Sequence, residues 1–150
     1  MAKAKLRLID ILLLVVCIVM MFFSYQNIRK RKRINEVKEL PYRNVSLENV
    51  QDGVYTAKTQ TSFLTIKLQV NVENHKIQNI KVLEKASERN FEEKVLLDEM
   101  IAENKAFVEV IKGQELASLV YICCLDSALA QGDPSLQIVE DDSELTVNEN

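Results

Sequence analysis

Between residues 63 and 74 apolar and polar positions alternate: Leu64, Ile66, Leu68, Val70 and Val72 are separated by Thr65, Lys67, Gln69 and Asn71. That period of two predicts a strand with one buried and one wet face. The polar group Glu73, Asn74, His75 and Lys76 follows, and Asn tolerates positive φ, so a hairpin turn is expected there. The apolar rhythm resumes at Ile77, Ile80 and Val82, with Ile77 and Ile80 out of phase, which predicts a bulge between them. Residues 54–59, rich in β-branched and aromatic side chains after the turn signal Asp52-Gly53, are expected to add a third strand.

The period then changes. From residue 88 to 104 Phe91, Val95, Leu96, Met100 and Ile101 recur at helical spacing among Glu92, Glu93, Asp98, Glu99 and Glu103, which predicts an amphipathic helix. Residues 106–111 are expected to form a short strand, Lys112-Gly113 a break, and residues 114–131 a second helix. In that helix Leu116, Leu119, Val120, Cys123 and Ser127 make one stripe, and Ile122, Leu125 and Leu129 carry the apolar surface almost round the cylinder, so it must be well buried. Gly132 is read as a C′ residue, and Pro134 prevents continuation. Cys123 and Cys124 point about 100° apart around a helix and lack metal-ligand spacing, so both are read as small buried residues.

Residues 6–25 form the longest apolar run. Twenty residues make about 30 Å of helix, the thickness of a hydrocarbon core, and residues 11–23 hold no polar side chain but Cys17. A membrane span is expected, and an uncleaved one, since the run ends in Met-Met-Phe-Phe-Ser-Tyr without a small-x-small cleavage signal. Asp10 lies near its end, one helical turn from Arg7, where it can pair or stay among headgroups. Pro41 is expected to stop any helical extension, and Ser46 to start one capped turn.

Charge divides the chain. The net charge of −3 combines ten Lys/Arg against three Asp/Glu up to Arg43 with nine against nineteen beyond it. So acidic a domain excludes nucleic acid as a partner, because phosphate contacts need Lys and Arg. The cations Arg29, Lys30, Arg31, Lys32 and Arg33 directly after the span suit anionic lipid, which makes the bilayer the expected partner. Counted against Lys3, Lys5, Arg7 and the α-amino group, they also favour a cytoplasmic domain by a small margin. The only His is His75, and nothing pairs it with acids, so neither a metal site nor a catalytic dyad is read. The organisation expected is an anchor (1–28), a basic juxtamembrane linker (29–45), a domain (46–132) and an acidic disordered tail (133–150).

This order of parts, with Asp52, Gly53 and Tyr55 opening a strand, the alternation from 64 to 72 and the Ile77, Ile80, Val82, Glu84 strand, resembles the FMN-binding domain family. That family includes the flavin-carrying C subunit of sodium-pumping NADH:quinone reductases, the G subunit of Rnf electron-transfer complexes and small anchored proteins of bacterial surfaces. The resemblance covers residues 45–132. It implies an α+β domain, a small antiparallel sheet with two packed helices behind one transmembrane helix, held on the outer face of the cell membrane. It also implies an electron-transfer role and a membrane redox complex or other protein as partner.

The family's signature is Ser-Gly-Ala-Thr before the last helix, its Thr esterified to the FMN phosphate. The corresponding residues here are Lys112, Gly113, Gln114 and Glu115, with Ser118 matching a later Ser of the motif. A carboxylate cannot form that phosphoester, like charges about 4 Å apart repel by ~1 kcal/mol even in water, and Glu115 in the first turn can occupy the positive helix end itself. The expectation is therefore a degenerate site at Lys112, Gly113, Gln114, Glu115 and Ser118, with covalent FMN lost and FMN held non-covalently or absent. The alternative is a non-redox, membrane-anchored interaction or scaffold domain. No catalytic activity of its own is read from the residues.

Overall fold

A computed structural model describes residues 2–87 and 91–136, with side chains from residue 10 onward. The chain forms two compact units, Met1–Asn35 and Glu36–Asn150.

The first unit is the body of a long helix, α1 (Ala2–Lys38). One stretch of it, Asp10–Lys38, is long and apolar enough to cross a membrane, and none of its apolar window is buried by protein. The Arg7 side chain lies outside those described, so its expected pairing with Asp10 does too. Helical structure continues through the basic run expected as a linker and ends just before Pro41, whose missing N–H and ring forbid another turn. The chain then leaves through bonds from Leu40 N–H to the Val37 carbonyl and from the Tyr42 hydroxyl to the same oxygen (3.4 and 3.0 Å).

The second unit is α+β. Strands β1 (Gly53–Gln60), β2 (Leu64–Glu73) and β3 (Lys76–Ser87) form an antiparallel sheet in that order. In β2 the alternation emerges as read: Ile66, Leu68, Val70 and Val72 are fully buried, and the residues between them are half-exposed. The expected bulge is present, since Asn71 faces Asn79 while Val72 faces Ile77, leaving Gln78 as the extra residue. A second irregularity falls at Leu83, between the Leu68–Val82 and Lys67–Glu84 pairs.

Helix α3 (Glu115–Ala130) packs on β1 and β2, and α2 (Glu93–Glu103) on β3. The core lies between these helices and one face of the sheet: Leu96, Leu97 and Met100 of α2, and Val120, Ile122, Cys124, Leu125, Ala128 and Leu129 of α3, share one cluster with the sheet's apolar face. Residues 88–90, where α2 was expected to begin, lie outside the described residues. Val95 is corrected to the outside, 59% exposed, and Leu97 takes the inward position.

Residues 106–111 are not a strand. They cross from α2 to α3 without joining the sheet, and Ala106, Phe107, Val108, Val110 and Ile111 pack on the core instead. Gly132 stands at C′ as read, one residue past the C-cap Gln131, though without positive φ. Its hydrogen leaves room for the Tyr55 ring, which a Cβ would approach to 2.5 Å. The Tyr55 hydroxyl donates to the Gln51 carbonyl (2.8 Å), and Gln51 N–H donates to the Gly132 carbonyl (2.9 Å), so this tyrosine seals the start of β1 to the end of α3. The first residues of the expected tail, 133–136, form one turn capped by Asp133, whose Oδ1 accepts from the Ser135 N–H and hydroxyl. The remainder of that tail lies outside the described residues.

One polar side chain organises this core. Asp126 of α3 is fully buried, and its carboxylate accepts the N–H groups of Arg43, Asn44 and Val45 at 2.6, 3.2 and 2.9 Å. Asn44, at φ 52°, turns the backbone so that three successive N–H groups converge on one anion.

Candidate functional site

The chain enters α3 through a turn in which Gln114 N–H donates to the Ile111 carbonyl at 2.9 Å. Gly113 sits in it at φ 81°, with open space where a side chain would be, so glycine is required by the backbone conformation and not by crowding. Such an entry presents free N–H groups and the positive end of a helix dipole, an arrangement suited to an anion.

The anion in place is the chain's own. Glu115, in the first turn, accepts the Gly113 N–H on Oε1 at 2.7 Å. That bond, chiefly, then the bond to its own N–H and the nearby Lys112, hold its carboxyl below the usual range. Ser118 is fully buried and its hydroxyl is committed in both directions: it accepts from Ile111 N–H at 3.0 Å and donates to the Gln114 carbonyl at 3.1 Å. Gln114 N-caps the helix through its backbone, and its buried Oε1 has no partner. The structure thus brings Lys112, Gly113, Gln114, Glu115 and Ser118 together at one helix start. At this helix start the Gly113 N–H is taken by Glu115, and the Ser118 hydroxyl is spent on the backbone.

The sign of the pH dependence follows from Glu115. With its folded pKa below the unfolded value of 4.5, its contribution to stability is present above about 4.5 and is lost as the pH falls through the depressed folded value. Glu115→Gln is therefore expected to lower the Tm at neutral pH and to match the parent chain in strong acid, read by thermal unfolding across pH. An equal loss at every pH would mean that the charge plays no part.

His75 holds a structural post that sequence did not show. Asn74 and His75 both have positive φ (53° and 57°), forming the tight β2–β3 turn. The His75 Nδ1 lies 3.2 and 3.0 Å from the Leu47 and Val50 carbonyls and so carries a proton towards them. Asp52 accepts the His75 N–H at 3.4 Å, and its carboxyl is held low mainly by the Asn74 N–H. Asn104, in left-handed conformation at the end of α2, accepts from Ile77 N–H (2.8 Å) and donates to the His75 carbonyl (3.1 Å). The turn chemistry of Asp52, Asn74 and His75 is thus used to fasten the hairpin to its neighbours. Asp126 was likewise missed, although a lone charge amid the apolar residues of α3 was a signal of its special position.

Among the described residues no group of three or more His, Cys, Asp or Glu side chains is arranged to hold a metal ion. An open groove is lined by Glu36, Glu39, Leu40, Gln60, Thr61 and Ser62, none of them a residue singled out from the sequence. Neither protein-family models, nor curated proteins, nor solved structures give a match to this chain.

Proposed function

We propose that the chain is a single-pass membrane protein whose anchored α+β unit is an FMN-binding-type domain that has lost its flavin tether, and that it works as a non-redox interaction module. The observation that carries this reading is the Glu115 carboxylate on the Gly113 N–H, with the Ser118 hydroxyl spent on the backbone. A retained anchor is supported by α1, which runs unbroken from the apolar stretch to Lys38. The family resemblance supports a position on the outer face of the cell membrane.

A second reading has support in the Gly113 turn, the start of α3 and Lys112, which together can receive an anion if Glu115 swings aside. The domain is then an electron carrier holding FMN non-covalently. Absorbance separates the two. Full-length protein purified in detergent is expected to be colourless and to stay so after incubation with FMN and desalting. Yellow protein that releases FMN on denaturation overturns the first reading in favour of the second. Membrane side is tested with a Ser143→Cys chain lacking the native cysteines: labelling in intact cells by an impermeant maleimide supports the outer face, and labelling only after lysis opposes it.

A further inference from the structure

The basic run after the apolar part of α1 has a geometry that names its partner. Successive helical positions turn by about 100°, so five consecutive cations encircle the axis within about 6 Å of rise. Arg29, Lys30, Arg31 and Lys32 are exposed and Arg33 is half-buried, making a collar rather than a stripe. Below it the apolar side chains are open in every direction as well, from 47% for Val16 to 76% for Met21. A protein partner docking on one side would leave most of both surfaces uncovered. A bilayer surrounds both at once.

The vertical spacing agrees. From Asp10 to Arg29 the helix rises about 28 Å, close to one hydrocarbon thickness. The Arg29 guanidinium lies 5.3 Å from the centre of the Tyr25 ring, one turn back, and stacks an interfacial aromatic on the first cation of the collar.

We infer that this collar gathers a ring of anionic phospholipid headgroups around α1. The inference rests on the membrane-anchored reading above. It adds a lipid preference that an anchor alone does not have, worth about fivefold for each cation close to an anionic surface.

The test uses the full chain with a donor dye on Cys17, the exposed thiol, since Cys123 and Cys124 are buried. The labelled protein is reconstituted into phosphatidylcholine vesicles containing a minority of phosphatidylglycerol, and energy transfer is compared for acyl-labelled phosphatidylglycerol and acyl-labelled phosphatidylcholine. Transfer to phosphatidylglycerol is expected to be several-fold stronger at low salt and to approach parity in high salt. The R29Q/K30Q/R31Q/K32Q/R33Q chain should remain embedded and keep only the smaller preference that Lys3, Lys5 and Arg7 supply at the other end of the span. Equal transfer to both lipids at low salt, from a chain that resists carbonate washing, overturns the collar and leaves the anchor intact. A preference undiminished in the fivefold variant overturns it too. A chain stripped off by the wash overturns the anchor itself, and the collar with it.

Discussion

Asp126→Ala is expected to destabilise the Glu36–Asn150 unit by about 3–5 kcal/mol, because it removes the buried carboxylate that accepts three backbone N–H groups. At roughly 4 °C per kcal/mol for a unit of this size, the Tm falls by roughly 12–20 °C. Asp126→Asn keeps the shape but turns an NH2 group towards N–H groups, so it should also destabilise, by a smaller amount. Thermal unfolding of the detergent-solubilised chain followed by circular dichroism measures both. A loss below about 1 kcal/mol for Asp126→Ala would show that the Arg43, Asn44 and Val45 donors are satisfied by water and that the clamp is incidental.

Leu68→Ala should be of similar size, about 2–5 kcal/mol, for a different reason. Leu68 is fully buried on the central strand, paired with Ala57 on one side and Val82 on the other, beneath α3. Truncation leaves a cavity that neither a central strand nor a helix already packed on it can fill. Lys67→Ala, one residue away on the other face, should change stability by less than about 0.5 kcal/mol. Urea unfolding of the pair checks the difference. Similar losses at both positions would contradict the facing of β2.

What the sequence disclosed and what it hid divide along physical lines. The facing of β2 was legible because period two has a single solution once one face is buried. The bulge at Gln78 was legible because Ile77 and Ile80 could not otherwise share that face. Leu83 was not, since either member of the Val82-Leu83 pair could have turned inward, and only the pairing with β2 decides. The 106–111 run failed as a strand because a short apolar segment looks the same whether it joins a ladder or packs as a crossover. Gly132 was legible as the C′ residue of α3, whereas the space it leaves for Tyr55, a residue far away in sequence, was not. Glu115 was identified as the wrong residue for a tether. Its role as an occupant of the helix end was legible too, from its place in the first turn, and the geometry added the partner, the Gly113 N–H.

The burial of Cys123 and Cys124 has a consequence for where this domain can live. Both thiols are pushed above their ordinary range, first by desolvation, and Cys124 in addition donates to the Ala57 carbonyl at 3.4 Å. Since oxidants and electrophiles attack the thiolate, these sulfurs stay inert while the fold is intact. The domain therefore needs no reducing milieu to protect it, and either side of a membrane is chemically open to it.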